Sequence, residues 1–205
     1  MLTIALPKGR IGQEALEAFS KVHGAPLEFA SRKLILQSGD LRFLQVRNQD
    51  VPAYVYHQAA DVGVVGLDVL EEQRADLVRL LDLGIGRCRV SVGARKGEGV
   101  DFTKPQLKVA TKMENIARDF FSKKAVPVEI VKLYGSIELA PLVGLADVIV
   151  DIVETGETMR QNGLEPVLDI MESSAYLVAN KNSFYAKKAE ILDLREKLER
   201  VCRGA

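Results

Sequence analysis

Residues 151–158 read DIVETGET. In that short stretch Asp151, Glu154 and Glu157 supply carboxylates, Thr155 and Thr158 supply hydroxyls, and Gly156 supplies backbone with no side chain to obstruct an incoming group. The run before it, ADVIV, is apolar enough to be a strand covered on both faces, so a helix is expected to begin at Thr155. Amides at such a junction have no partner within the helix and can surround an anion, with the two threonine hydroxyls completing the cup. Carboxylates just ahead of the cup repel phosphate but accept hydrogen bonds from the neutral vicinal hydroxyls of a ribose. Together these groups outline a site for a sugar phosphate. A plainer reading stands beside it: Thr155 caps the helix, and Asp151 or Glu154 pairs with a surface lysine.

The elements that must position these groups alternate along the chain. Thr3 to Leu6 read as a strand, PKGR as a loop, and Ile11, Ala15, Ala18, Phe19 and Val22 as one face of a helix. KLILQSGDLRFLQV reads as a hairpin about Ser38, Gly39 and Asp40, followed by a short helix in VPAYVYHQAA, a strand in DVGVVG and a helix in LDVLEEQ. After the glycine-rich GIGRCRVSVGARKGEGVDF the alternation resumes: LKVAT strand, NIARDFFSKK helix, VEIVKL strand, SIELAPLVG helix, ADVIVDIV strand, and the helix from Thr155. EPVLDIMESSAYLVANK then runs extended, and AKKAEILDLREKLERVC closes as an amphipathic helix. Strand and helix in alternation predict α/β layers. The chain is expected to cross between two lobes near residues 84 to 99 and to return near 175 to 180. Residues 1–88 and 177–205 then form a discontinuous first lobe, residues 89–176 form a second, and ligands sit in an interlobe cleft.

Composition removes several classes of function. The 28 basic residues balance the 28 acidic ones, so no global field draws the chain to nucleic acid or to an anionic membrane, and any phosphate binding must be local. Cys88 and Cys202 stand far apart, as suits a reduced compartment, and offer no metal-ligand spacing. His23 and His57 lie in unrelated contexts, which argues against a zinc site or a Ser-His-Asp triad. The amino terminus lacks the features of a secretory signal and no apolar run approaches membrane-spanning length, so the expected location is the cytoplasm. With 47% hydrophobic residues in 205, a substantial core is available.

VDIVETGETM resembles the phosphoribosyl-pyrophosphate loop of phosphoribosyltransferases. The longer EIVKLYGSIELAPLVGLADVIVDIVETGETM is similar to the signature of the ATP phosphoribosyltransferase family, which opens histidine biosynthesis. LPKGR, SRKL, VRNQDVPAYV, ADVGVVGLDVL and VATKMENIARDFF match that family in the same order, so the resemblance covers nearly the whole chain. It implies a two-lobed fold of the periplasmic-binding-protein-like type II class. It also implies the short form of the enzyme, which lacks a carboxyl-terminal regulatory domain and works with a separate regulatory subunit resembling histidyl-tRNA synthetase. The implied assembly is a homodimer within a hetero-oligomer, a hetero-octamer, with no nucleic acid and no membrane.

Carried over by position, the resemblance assigns Thr155, Gly156 and Thr158 to the 5-phosphate, and Glu138 and Glu154 to the ribose hydroxyls. Asp151 either joins them or orients the loop. Glu157 stands where relatives often carry a small or neutral residue, so its carboxylate must point to solvent, and Met159 replaces the more usual leucine. Lys8 and Arg10 would face triphosphate and pyrophosphate. Arg32, expected at a hairpin edge, would reach across a dimer interface to the leaving pyrophosphate with its bidentate fork. Asp68 and Asn115, each otherwise a helix cap, and the turn Tyr134, Gly135 and Ser136 are assigned to the nucleotide. No protein metal site is implied; Mg2+ would arrive on the substrate phosphates. Two rivals remain at this stage. One is a non-catalytic solute-binding module of the same fold, and the other is a phosphoribosyltransferase acting on a free base.

Overall fold

The computed structural model describes residues 1–204. The chain divides into two compact units, one formed by Met1–Leu70, Arg74–Gly86 and the stretch from Ser174 onward, the other by Glu71–Gln73 and Arg87–Ser173.

The first unit is built on strands β1 (Leu2–Pro7), β2 (Ile35–Ser38), β3 (Leu41–Val46), β4 (Val62–Gly66), β5 (Val78–Asp82) and, from the carboxyl-terminal part of the chain, β11 (Ala175–Ala179). Their order in the sheet is β2-β3-β1-β4-β11-β5. β1 lies parallel to both β3 and β4, whereas β2 and β11 run antiparallel to their neighbours. Because side chains alternate along a strand, each strand feeds two cores. Leu2, Ile4, Leu6, Val62 and Val64 pack on one face with Phe19 of α1 (Arg10–His23) and with Ile191, Leu194 and Leu198 of the last helix, Lys188–Arg203. Ala5 and Val65 pack on the other face with Val51 and Val55 of α2 (Val51–Tyr56) and with Val69 and Leu70 of α3 (Leu67–Gln73).

The second unit holds β6 (Cys88–Arg95), β7 (Leu107–Thr111), β8 (Val128–Lys132), β9 (Val148–Val153) and β10 (Leu164–Ser173), in the order β10-β6-β9-β7-β8. β7, β8 and β9 are mutually parallel, β6 is added antiparallel to β9, and β10 lies outside it antiparallel to β6. Val109, Val148 and Val150 face α4 (Glu114–Lys123) through Ile116, Ala117 and Phe121. The alternate residues Ala110, Ile149 and Val153 face α5 (Leu139–Leu142) and α6 (Glu157–Gln161), contributing to a smaller core with Ala140 and Met159. The chain finishes with α7 (Lys181–Ala186) and α8 (Lys188–Arg203).

Several elements differ from the sequence reading. The glycine-rich stretch contains β6, an eight-residue strand whose Val90, Val92 and Ala94 are buried, so glycine there marks close packing rather than a loop. The run after Gly163 is two strands in different sheets, β10 and β11, rather than one extended segment, and Ala175 and Tyr176 pair with Gly66 and Val65 in the first sheet. β5 and α7 were not foreseen either. The helix expected from Thr155 begins at Glu157, with Gly156 in a left-handed conformation (φ 77°) as its N-cap. α5 has only four residues, because a chain carrying Pro141 and then Gly144 at φ 74° does not sustain more turns. Among the described residues no helix is long and apolar enough to cross a membrane.

Candidate functional site

The parallel strands of the second sheet carry the site. The chain leaves β7 through α4 toward β8, then passes back over β7 to reach β9, so β7 has a parallel neighbour on each side. In open α/β sheets the carboxyl ends of strands at such a reversal leave a crevice for ligands. Here the crevice is a pocket of about 320 Å³ lined by Lys112 just past β7, by Glu138 between β8 and α5, and by residues 151–159 at the end of β9.

Seven of the sequence candidates meet in it: Glu138, Asp151, Glu154, Thr155, Gly156, Glu157 and Thr158. Gly156 is the residue its backbone requires. Its φ of 77° disfavours a side chain, and a Cβ there would lie 3.1 Å from Arg160 Nη1. Thr155 and Thr158 are exposed beside it. The Glu157 amide donates to Thr155 Oγ1 at 3.3 Å, so the hydroxyl closes the turn as an acceptor and keeps its own proton to offer an anion. Thr155 is therefore not the helix cap that the plainer reading expected; the N-cap position belongs to Gly156.

Glu157 leaves the cup. Its carboxylate accepts from Arg160 at 3.1 Å and from Gln161 at 3.2 Å, and its side chain is 58% exposed. Arg160 also donates to the Thr155 carbonyl at 2.9 Å, clamping the loop from outside. Beneath the loop Met159 is 3% exposed and packs with Ile149, Val153 and Leu164. A five-residue helix cannot hold itself together, and burial of that one side chain, worth about 1.5–3 kcal/mol, ties it to the sheet.

Asp151 is the more enclosed acid. Its Oδ1 accepts from the Ile152 amide at 2.8 Å and lies 3.3 Å from Lys112 Nζ. Glu138 stands at the N-cap position of α5, partly buried, and Glu154 is exposed. Lys112 and Arg160 were not picked out from the sequence. The signal for Lys112 was its place one residue past a strand end, and for Arg160 its spacing of three from Glu157.

The remaining candidates lie elsewhere. Tyr134, Gly135 and Ser136 form the turn after β8; the Tyr134 ring is 85% exposed, with the Lys132 ammonium 5.8 Å from its centre. A hydrogen bond from Lys132 to Glu114, at 2.6 Å, holds that ammonium above the usual lysine range. Asn115 is not a cap: Met113 holds that position in α4, and the Asn115 side chain donates to the Glu72 carbonyl at 2.8 Å.

Lys8, Arg10, Arg32 and Asp68 belong to the first unit. Lys8 and Arg10 flank Gly9 (φ 91°) at the carboxyl end of β1, and both are exposed. Gly12 sits against the Pro7 carbonyl, so closely that any Cβ would collide with it, and this contact sets the path of the loop. Arg10 pairs with Glu14 at 3.5 Å. Asp68, 7% exposed, lies in the first turn of α3 at the end of β4, the strand next to β1, with its carboxylate folded over Gly66. Arg32 is not on the hairpin edge but in the turn leading to it, closed by a bond from Lys33 N to Ala30 O of 2.9 Å, with φ of 61°.

Known proteins agree in one direction. The profile of the family described as HisG: ATP phosphoribosyltransferase matches residues 47–200. An ATP phosphoribosyltransferase from Nitratiruptor sp. is 71% identical over 205 residues, covering 100% of both chains. One from Wolinella succinogenes is 63% identical over 201 residues, covering 98% of each. Among solved structures, the ATP phosphoribosyl transferase (HisG:HisZ) complex from Thermotoga maritima aligns with a TM-score of 0.88 and 33% identity over 100% of both chains. The periplasmic aliphatic sulphonate binding protein SsuA from Escherichia coli aligns with a TM-score of 0.63 at 12% identity, over 98% of this chain and 72% of that one, which shows the periplasmic-binding-protein-like fold alone. The chain belongs to the ATP phosphoribosyltransferase family, the transferases that join ATP to 5-phosphoribosyl 1-pyrophosphate, releasing pyrophosphate, in the first step of histidine biosynthesis.

Proposed function

We propose that the pocket at the carboxyl ends of β7, β8 and β9 binds the phosphoribosyl half of the pyrophosphate substrate. Thr155, Gly156 and Thr158 take the 5-phosphate, Glu138 and Glu154 receive the ribose hydroxyls, and Asp151 orients the loop or joins them. The observation that carries this reading is the shared lining: a left-handed glycine between two exposed threonine hydroxyls, with carboxylates alongside and Glu157 turned out toward Arg160. Lys8, Arg10 and Arg32 take the pyrophosphate and triphosphate charge, while Asp68, Asn115, Tyr134, Gly135 and Ser136 serve the nucleotide.

An adenine ring nitrogen of ATP attacks the anomeric carbon as its bond to pyrophosphate breaks. The nitrogen lone pair is already nucleophilic, so no strong base is required. The transition state has oxocarbenium character, and the protein's work is to align two substrates and to neutralise charge on the departing oxygen. Mg2+ enters as part of the substrates, on their phosphates. Glu138 and Glu154 are oxygen donors of the kind it accepts, and one or two suffice beside phosphate.

The chain works in the cytoplasm as a homodimer, with Arg32 supplied across the dimer interface, inside a hetero-octamer with a regulatory subunit. The HisZ chain named with the Thermotoga maritima neighbour supports such a partner. The test of assembly is product mass: phosphoribosyl-ATP formed from ATP, the pyrophosphate substrate and Mg2+, with and without the partner, is expected to rise when the partner is present. For the pocket, Thr158→Val removes one hydroxyl at nearly constant volume. Ribose 5-phosphate affinity by calorimetry is expected to fall about tenfold or more, the worth of a hydrogen bond to a charged group. An unchanged dissociation constant removes the cup from the account.

A further inference from the structure

Four carboxylates line the pocket, Glu138, Asp151, Glu154 and Glu157, against a single lysine, Lys112. Glu157 is answered by Arg160, and a phosphoryl dianion entering beside Asp151 meets the negative charge of its carboxylate. Lys112 is placed to change that. It follows β7, and its backbone is fixed by its neighbour: Thr111, fully buried, donates its hydroxyl to the Val150 carbonyl at 2.7 Å and accepts from the Met113 amide at 2.9 Å. This staples the end of β7 to β9. Counting alternately from Ala110 and Ile149, Lys112 and Asp151 fall on the same sheet face, and their charges stand 3.3 Å apart. Asp151 has a second restraint, the Ile152 amide, so it stays aimed when the lysine moves. Lys112 is 32% exposed on a flexible stem and has no such second tether among the described residues.

Building on the pocket reading above, we infer that Lys112 is an exchangeable cation. In the ligand-free pocket it neutralises Asp151. When the phosphoribosyl substrate binds, the ammonium leaves Asp151 for a phosphoryl oxygen, and the released carboxylate, still held by the Ile152 amide, accepts a ribose hydroxyl. One ion pair thus gives way to two ligand contacts, and the empty pocket avoids an unpaired charge.

The exchange has a signature that a structural ion pair lacks. Asp151→Asn frees the lysine without removing it, so inorganic phosphate is expected to bind about threefold to tenfold tighter, whereas Lys112→Gln weakens it about tenfold. Ribose 5-phosphate, which uses both groups, is expected to weaken in Lys112→Gln and to recover most of its affinity in Lys112→Arg. Calorimetry with both ligands on the three variants reads this, and inorganic pyrophosphate as a third ligand shows which phosphoryl group the lysine meets. If Lys112→Gln does not fold, the Asp151→Asn arm decides alone. Phosphate affinity that is unchanged or lower in Asp151→Asn overturns the exchange, as does ribose 5-phosphate affinity unchanged in Lys112→Gln. Should Thr158→Val weaken ribose 5-phosphate while Lys112→Gln does not, only the exchange falls; should Thr158→Val have no effect, the pocket reading falls first.

Discussion

Arg32 holds a backbone conformation that its side chain does not favour. Its φ of 61° is in the left-handed region, at the third position of a turn where glycine or asparagine is usual, and a residue with a Cβ is disfavoured there by about 1–2 kcal/mol. Strain of this kind is found at functional sites, and the proposed contact of its guanidinium with the leaving pyrophosphate would account for keeping an arginine there. The proposal therefore predicts two effects of opposite sign. Arg32→Gly should leave the fold at least as stable as the parent in thermal unfolding, while the single-turnover rate falls about a hundredfold to a thousandfold, the usual loss for one preorganised donor. A rate that survives in Arg32→Gly removes the arginine from the chemistry. At this scale the sequence was informative where residue type and place coincided: DIVETGET carried hydroxyls, acids and a glycine at a strand end, and seven candidates line one pocket. Lys112 and Arg160 escaped because a lone lysine after a strand, or an arginine three residues past a glutamate, reads as an ordinary solvated side chain.

α6 is too short to place itself, and its position depends on a glycine in another element. Gly93 of β6 pairs with Ile149 of β9 and with Pro166 of β10. A Cβ on Gly93 would stand 2.9 Å from Met159 Sδ and 3.0 Å from Ile149 Cγ1, so the absent side chain is the space in which Met159 anchors the loop. Gly93→Val should overpack this contact, costing about 1–3 kcal/mol of stability, and should lift Thr155 to Thr158 from the sheet. Ribose 5-phosphate affinity should fall with it, and the double variant with Met159→Ala should regain stability in denaturant titrations. If Gly93→Val binds ribose 5-phosphate as tightly as the parent, the loop does not take its position from β6. The same glycine explains why β6 was hidden in the sequence. With Gly84, Gly86, Gly97 and Gly99 around it, Gly93 looks like more loop, although Val90, Val92 and Ala94 already alternate with period two as a strand should. β1, β4, β7 and β9 were legible because continuous apolar runs leave few alternatives. α5 was overextended because an apolar stretch near Pro141 does not show how soon a helix stops, and α6 was started two residues early because a threonine after a strand reads as its first residue.

The first unit is assembled from chain segments that are distant in sequence, so what joins them matters to the protein as a whole. Sequence periodicity showed that strands and a closing helix were there. It could not show that β11 inserts between β4 and β5, since such pairing depends on register and not on local pattern. Asp61 lies at one of these junctions. Its carboxylate accepts from the Thr3 amide at 2.9 Å and pairs with Lys187 at 2.8 Å, Lys187 also donates to the Met1 carbonyl, and the side chain is 13% exposed. Burial alone would push the acid upward, but the bonds from Lys187, Thr3 and Ser183 together hold it below the usual aspartate range. A carboxyl group depressed on folding stabilises the protein fully above its unfolded value, and that contribution disappears as pH falls through the folded value. Asp61→Asn should therefore destabilise the protein by about 1–3 kcal/mol at pH 7. The gap between variant and parent should begin to narrow as pH falls below about 4, the unfolded value, and close as pH falls through the depressed folded value of the parent's aspartate. Urea titrations at pH 7 and pH 3 read the difference directly. A gap of equal size at both values would mean that the junction is held by packing of β1 and β4 against the last helix, and that the ion pair across Asp61 contributes nothing to joining the ends of the chain.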